Sequence, residues 1–301
     1  MHARAVFAFA VVVALVAAAP VSAAPRVHFV LSADAPAYHA VYAAARDAFG
    51  ARAVTSAGGA DEPVPDDAAV LVAVGAAAAV RWAGSDDPRP VFATLVPAAA
   101  WAAAVPPGTV NRSALYLDQP LARQVALVRV LLPPLRELGA IFGPSSDALR
   151  AELAAAAERH RMVVNAHGLA AGEALNGAVT EVLRDSEVLL ALPDQQVFNR
   201  FNVQSALLAS FRLRRPVIGY SESWVRAGAL AALYSTPTQL GAEIAESVAA
   251  WLPSGGPLPP SGPASGYALS VNRQVAFSLG LNLPTDAVLH QRLRALLEGA
   301  P

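Results

Sequence analysis

Polar side chains follow two apolar runs of the sequence, and they are the best candidates for chemistry in this chain. Asp194 and Gln195 come directly after the run VLLALP, and Ser221 and Glu222 come directly after PVIGY. A carboxylate that faces a cleft can bind an ammonium group, and a free helix N-terminus can bind a carboxylate. We therefore expect these four residues to contact a small ligand. A capping role for Asp194 and Ser221 is the alternative.

Aromatic residues accompany both polar clusters. Tyr220 and Trp224 flank the Ser-Glu pair, and Trp224 lies in or beside a loop, which favours a place on a cleft wall for both. Phe198 and Phe201 are three residues apart in a helical pattern, and this spacing is typical of core packing.

Catalytic signatures are missing from the sequence. A hydrolase built from Asp194, Ser221 and Glu222 would need a general base, and no histidine is near them in sequence. Phosphate-loop, dinucleotide-binding, H-E-x-x-H and G-x-S-x-G patterns do not occur. The scattered histidines show no metal-ligand spacing, and His28 alternates with apolar neighbours, which is typical of a buried position. We expect no catalytic residue, no metal and no cofactor.

The elements that position these residues alternate between strand and helix patterns along the chain. Short apolar runs that end at small polar clusters, each followed by a helical pattern, are typical of parallel strands covered on both faces. Ligands of such sheets bind at the carboxyl ends of the strands. The signals divide at about Asp118, which predicts an α/β protein with two doubly wound, Rossmann-like lobes. Between the first helix and the next strand, Gly58, Gly59 and the acidic segment 61–67 are expected to form a loop.

The amino-acid composition excludes several classes of function. The chain has 301 residues, 55% hydrophobic and 15% charged, with a formal net charge of -1, no cysteine and no lysine. This balance excludes a disordered chain and argues against nucleic-acid binding, which needs a concentrated positive face. The absence of cysteine excludes disulfides, thiolate metal sites and a cysteine nucleophile.

The N-terminus has the pattern of a secretory signal peptide. His2 and Arg4 precede an apolar run at 6–19, and residues 21–23 offer small side chains for cleavage. Residues 1–23 are therefore predicted to be removed, and the protein is predicted to be periplasmic without stable membrane insertion. An uncleaved anchor is the alternative, although the run is shorter than a bilayer span of about 20 residues.

Four segments together resemble a known family. They read DQPLARQVALVRVLLPPLRELGAIFGPSS, LPDQQVFN, PVIGYSESWVRAGALAALYSTPTQLGAEIAE and SVNRQVAFSLGLNLP. In this order they are similar to the substrate-binding proteins of ABC transporters, and most similar to the group that includes aromatic and branched-chain amino-acid binders. The resemblance runs from about residue 117 to 284. The region 50–69 departs from the family and is shorter than usual.

The resemblance implies a type I periplasmic binding protein with two lobes and three crossovers. The crossovers are expected near residues 117–120, 234–237 and 270–273. The lobes are then expected at residues 24–118 plus 235–269 and at residues 119–234 plus 270–301.

The resemblance also implies which residues contact the ligand between the lobes. In the second lobe they are Asp194, Ser221 and Glu222, together with Gly143, Pro144 and Ser145. In the first lobe they are the equivalent strand ends, Ser32, Gly75, Ala76, Thr94 and Leu95.

The function implied is capture of a small organic ligand, an amino acid or a similar molecule, for delivery to an ABC permease. The protein would act as a monomer, without catalysis. Two alternatives stay open at this point. One is a periplasmic binding or accessory module that serves another envelope protein without transport. The other is a periplasmic enzyme on the same fold, which would need a titrating base in the cleft.

Overall fold

The structure is a computed structural model that describes residues 24–299. The predicted signal peptide at residues 1–23 lies outside the described part. The strands are β1 (Arg26–Leu31), β2 (Val54–Gly59), β3 (Ala68–Val74), β4 (Val91–Val96), β5 (Arg112–Tyr116), β6 (Glu137–Phe142), β7 (Val163–Gly168), β8 (Val188–Leu190), β9 (Val217–Gly219), β10 (Ala231–Tyr234), β11 (Gly262–Pro263) and β12 (Ala268–Val271). The helices are α1 (Pro36–Phe49), α2 (Ala76–Ala83), α3 (Ala98–Ala104), α4 (Leu121–Leu131), α5 (Arg150–Arg159), α6 (Leu175–Val182), α7 (Val203–Arg212), α8 (Glu222–Ala227), α9 (Pro237–Trp251), α10 (Arg273–Ser278) and α11 (Asp286–Glu298).

Residues 24–299 contain two six-stranded sheets, in the orders β11-β5-β4-β3-β1-β2 and β12-β10-β9-β8-β6-β7. All pairings are parallel except that of β10 with β12. We call each sheet, with the helices that pack on it, a lobe. The predicted α/β class with two doubly wound lobes is confirmed.

Each sheet is buried on both faces. Along β1, Phe29 packs into a core that includes α1 and α9, while the next residue, Val30, packs into a core that includes α2 and α3. Successive strand side chains point to opposite faces, so a strand covered on both sides must be apolar throughout. The second sheet repeats this arrangement, with α4, α5 and α11 on one face and α6 to α8 on the other.

The chain crosses from the second lobe back to the first between β10 and α9, and a capping box stabilises the start of α9. Thr236 Oγ1 accepts the Gln239 N–H at 3.1 Å, and Gln239 Oε1 accepts the Thr236 N–H at 2.9 Å. This capping box satisfies two donors that a helix start leaves free, and Pro237 supplies a preset helical φ.

The sheets correct two predictions. Gly58 and Gly59, predicted to lie in a loop, instead end the edge strand β2 (Val54–Gly59), which pairs with β1 over its whole length. The third connection between the lobes lies at residues 264–267, because β12 (Ala268–Val271) already belongs to the second sheet. The predicted crossover at 270–273 and the lobe boundary at 269 are therefore a few residues too late. Within residues 24–299, no helix has the length and apolarity to cross a bilayer.

His28 gives the first lobe a predicted pH dependence. Its side chain is buried in β1, and its Nδ1 lies 2.9 Å from Ser56 Oγ of β2. Burial lowers the pKa of His28, Arg89 and Arg26 lower it further, and Glu62 partly opposes them. The unfolded chain therefore takes up a proton before the folded chain does. The contribution of neutral His28 to the free energy of unfolding is fully present above an ordinary histidine pKa of about 6.5. It is lost as the pH falls towards the lowered pKa of His28 in the folded protein.

We expect His28→Gln to flatten the decline of unfolding free energy between pH 7 and pH 5, measured by urea denaturation. His160→Gln serves as the comparison, because burial also lowers the pKa of His160, but its side chain is only partly buried and its variant should flatten the decline less. The assignment to His28 would be contradicted if the slope of unfolding free energy against pH were unchanged in His28→Gln. It would also be contradicted if His160→Gln changed this slope as much as His28→Gln does.

Candidate ligand-binding cleft

A cavity of about 650 Å³ lies between the lobes. On the first-lobe side its wall is one face of α3 and the residue before it, namely Pro97, Ala99, Ala100 and Ala103. This wall carries no polar side chain. Pro97 leads into the helix with a φ of -63°, and the alanines keep the wall flat, so the space in front of it stays open.

The second-lobe wall consists of three loops at the carboxyl ends of β6, β8 and β9. The residues that line the cavity here are Pro144, Ser145, Ala191, Leu192, Pro193, Gln195, Tyr220 and Ser221. This is the edge of a parallel sheet at which ligands are expected. Burial raises the pKa of Tyr220, so its hydroxyl is protonated and available as a donor at neutral pH.

The connecting segments form the base of the cleft and are tied together by hydrogen bonds. Gln119 Nε2 in the first segment donates to Ser235 Oγ in the second at 2.6 Å. Ser235 Oγ donates to the carbonyl of Gly266 in the third at 2.9 Å. Arg123 donates to Gln119 Oε1 at 2.6 Å. Because Gln119 and Ser235 are buried and line the cavity, the base of the cleft is an ordered polar floor.

Asp118 is the one carboxylate among the described residues that line the cavity. Its Oδ2 accepts the N–H of Ala98, at the start of α3, at 2.7 Å. Burial raises the pKa of Asp118, partly offset by the hydrogen bonds from Ala98 and from its own backbone. Beside it, Gln124 donates to the Leu233 carbonyl at 3.1 Å, and its Oε1 has no partner in the described part of the chain.

The architecture and the cleft now have a counterpart among known proteins. Residues 110–291, well over half of the chain, match the family described as ABC transporter substrate binding protein. The chain belongs to this family. It is a substrate-binding protein and not an enzyme. No curated protein matches the chain in sequence.

Solved structures show that this substrate-binding protein has the type I periplasmic binding fold. A conserved domain protein from Vibrio cholerae is 22% identical, with a TM-score of 0.62 over 89% of this chain and 98% of its own. An ABC domain in complex with L-Trp from Streptococcus pneumonia is 17% identical, with a TM-score of 0.62 over 88% and 97%. The ligand-free, open structure of CD0873 from Clostridium difficile is 17% identical, with a TM-score of 0.68 over 87% and 97%.

The structure divides the residues predicted for the second lobe. Pro144, Ser145, Gln195, Tyr220 and Ser221 line the cavity of this substrate-binding protein. The others do not, and they lie just behind its wall or on the outer surface: Gly143, Asp194, Glu222 and Trp224.

Asp194 is 1% exposed, and its carboxylate is directed into the protein. Oδ2 accepts the N–H groups of Ser145 and Ser146 at 3.1 and 3.0 Å and the Ser146 hydroxyl at 2.9 Å. Oδ1 accepts the N–H of Gln196 at 2.9 Å. A Cβ at Gly143 would lie 2.8 Å from Oδ2, so only glycine allows this approach. Asp194 and Gly143 therefore shape the wall from within.

The remaining predicted residues of the second lobe serve local packing. Glu222 is exposed and forms an ion pair with Arg226 at 2.6 Å. Trp224 is buried, with its ring 5.2 Å from Phe198 and 5.3 Å from Tyr220. Trp224 thus supports the cleft residue Tyr220 from behind. Phe198 is buried as the spacing predicts, whereas Phe201 is 81% exposed because it lies in the segment before α7 begins.

The residues predicted for the first lobe lie together at the ends of β1, β3 and β4, but they do not line the cavity. Ser32 Oγ donates to the Val74 carbonyl at 2.8 Å and accepts the Ala78 N–H at 2.9 Å, next to Ala76 at the start of α2. Gly75 has a φ of 91°, and its N–H donates to the carbonyl of Thr94 at 2.9 Å. Leu95 has a φ of 54° where the register of β4 against β5 shifts. This set connects strand ends, and the cavity lies farther along the edge, at α3.

Sequence reasoning missed the base of the cleft and its alanine wall. The missed lining residues with polar side chains are Asp118, Gln119, Gln124, Tyr234 and Ser235. Two predicted crossovers, at 117–120 and 234–237, contain most of them, and segments that connect two lobes necessarily pass the base of the cleft between them. That signal could have identified these residues. The alanines of α3 carried no signal, because alanine is frequent throughout the sequence.

One cluster among the described residues has the side chains for a cation site, and it lies outside the cleft. His167, Glu173 and Glu181 bring potential ligand atoms within 4.8 Å of one another. His167 Nε2 lies 2.8 Å from Glu173, and Nδ1 lies 3.7 Å from Glu181. Each ring nitrogen thus faces a different carboxylate, and these contacts occupy both nitrogens without a metal.

Proposed function

We propose that the protein is an exported, periplasmic solute-binding protein that captures a small organic solute between its lobes and delivers it to an ABC permease. The observation that carries this proposal is the cavity itself, with walls from both lobes and a floor from the connecting segments. Its volume of about 650 Å³ falls within the range of small-molecule sites. A lining that is apolar over most of its area and carries polar side chains to orient a ligand is typical of such sites.

The polar groups of the lining support the same proposal. Ser145, Gln195, Ser221 and the Tyr220 hydroxyl can orient a solute from the second lobe, while α3 contributes apolar contact. A solute between the walls contacts both lobes, so binding favours their closure about the connecting segments. The family membership supports transport, and the signal peptide predicted for residues 1–23 supports export. The solute we propose is a small organic molecule of about the size of an amino acid, and one protein of similar fold was solved in complex with L-Trp.

A thermal-shift screen with a matched pair of variants tests this function. We expect at least one solute among amino acids, amines, carboxylates and sugars to raise the unfolding midpoint, because a ligand at a hundredfold excess over its Kd adds about 2.7 kcal/mol of stability. Ala103→Trp should weaken the binding of that solute by roughly tenfold or more, because the indole would occupy the cavity. Ala102→Trp is the control, since Ala102 is an exposed neighbour on α3 that does not line the cavity.

Two outcomes would contradict the proposal. A solute that binds equally well to Ala103→Trp would occupy another site. A protein that is folded, as judged by a cooperative melting transition, but responds to no solute class would not be a solute-binding protein of this kind.

A further inference from the structure

Two places where backbone N–H groups could hold a ligand anion are already occupied by the chain's own carboxylates. Backbone N–H groups at the starts of helices and loops are the usual anion sites. In the second lobe, the N–H groups of Ser145 and Ser146 donate to Asp194 Oδ2 at 3.1 and 3.0 Å. Asp194 is buried among them and is held by a further bond from the Ser146 hydroxyl. A ligand carboxylate has no free place there.

The start of α3 shows the same arrangement. The N–H of Ala98 at the start of α3 donates to Asp118 Oδ2 at 2.7 Å, and Asp118 lines the cavity. A ligand anion beside the start of α3 would therefore lie close to the Asp118 carboxylate. Like charges close together in a partly buried site repel each other strongly, because little water is present to screen them.

No positive side chain compensates for these carboxylates. Among residues 24–299 the cavity lining contains no arginine, and the whole sequence contains no lysine. Arg123 follows the floor of the cleft, but its guanidinium donates to Gln119 Oε1 and to the Ala264 carbonyl, and it lies 5.1 Å from the centre of the Tyr267 ring. The charge presented to a ligand is therefore that of Asp118.

We propose that the cleft selects a small organic cation, an amine with an apolar body and no carboxylate, whose ammonium group pairs with Asp118. The inference rests on the proposed function and names its solute class. A carboxylate can accept about four hydrogen bonds, so the bond from Ala98 leaves capacity for an ammonium group. The apolar body would contact the alanine face of α3, and the ring of Tyr220 lines the opposite wall.

Four solutes that share one body separate the charge classes. They are 2-phenylethylamine, L-phenylalanine, 3-phenylpropionate and the neutral 2-phenylethanol, titrated into the full-length mature protein by isothermal calorimetry. We expect 2-phenylethylamine to bind about tenfold or more tightly than each of the others, since a charge-assisted hydrogen bond in a partly dry site contributes at least that factor. Asp118→Asn should lose about the same factor for the amine and leave 2-phenylethanol within about twofold, because asparagine can still accept the Ala98 N–H.

The outcomes separate this inference from the proposed function. If L-phenylalanine or 3-phenylpropionate binds as tightly as the amine, the cation inference is wrong and solute binding stands. Tightest binding of 2-phenylethanol, or an unchanged amine affinity in Asp118→Asn, also overturns it. If none of the four binds, the cation inference falls, and the wider screen of solute classes then decides whether the proposed function falls with it. The comparison on the unmodified protein holds even if Asp118→Asn does not fold.

Discussion

Replacing Asp194 by alanine is expected to lower the free energy of unfolding by about 3 kcal/mol, because several buried donors lose a charged acceptor at once. The carboxylate accepts three N–H groups and one hydroxyl from the loops after β6 and β8. Alanine would leave the N–H groups of Ser145 and Ser146 without that partner. The loop that carries Pro144 and Ser145 into the cleft would then lose its fixed shape, and solute affinity should fall with stability.

Glu222→Ala is the matched control, measured with Asp194→Ala by urea denaturation. Both residues are carboxylates in loops or first turns at the same edge of the second sheet, and the sequence predicted the same role for both. Glu222 is exposed, and its partner Arg226 is also exposed. Surface pairs of this kind contribute about 0 to 1 kcal/mol, so we expect a small change in stability. Similar losses in the two variants, or a loss below about 0.5 kcal/mol in Asp194→Ala, would contradict the buried network.

The second large effect is expected at the contact between α1 and α9. A Cβ at Gly241 would lie 3.0 Å from Ala44 Cβ and even closer to the carbonyl oxygen of Val41. A backbone oxygen cannot move unless α1 moves, and α1 is anchored in the core by Val41, Ala45 and Phe49. We expect Gly241→Ala to lower the unfolding free energy by about 3 kcal/mol, at the upper end of typical overpacking costs.

Gly177→Ala supplies the control for Gly241→Ala. Gly177 is exposed in α6, and no atom outside its own helix backbone lies within 4 Å of the position of an added Cβ. Because alanine is the better helix former, this variant should gain up to about 1 kcal/mol. Chemical denaturation of both variants separates close packing from helix propensity. A gain in both would mean that α1 and α9 are less tightly packed than the structure shows.

The sequence predicted the lobes well because buried parallel strands are apolar throughout and end at small polar clusters. Residues 26–31, 70–74 and 188–190 show this clearly. The edge strand β2 was missed because its sequence, VTSAGG, is small, polar and largely uncovered, and only its pairing with β1 makes it a strand. The short strand β10, AALY, was also missed, because it follows the helical pattern of α8 with only a short turn at Gly228 between them.

The candidate site was harder to predict than the fold, for a physical reason. A loop position places a residue at the right edge of the sheet but does not say which way its side chain points. Asp194 and Ser221 follow neighbouring strands, yet Asp194 is directed into the protein while Ser221 lines the cavity. Asp118 was missed because its position depends on a hydrogen bond from the start of α3. Nothing in the sequence around Asp118 predicts that contact.

The measurement that tests the central claim most directly is the distance between the lobes with and without solute. The chain has no cysteine, so Ala102→Cys on α3 and Phe201→Cys before α7 would give two unique, exposed sites for spin labels. With a solute from the screen, double electron–electron resonance should show a shorter and narrower distance distribution that saturates at the same concentration as the thermal shift. A thermal shift without any change in this distribution would place the solute outside the cleft and contradict the account.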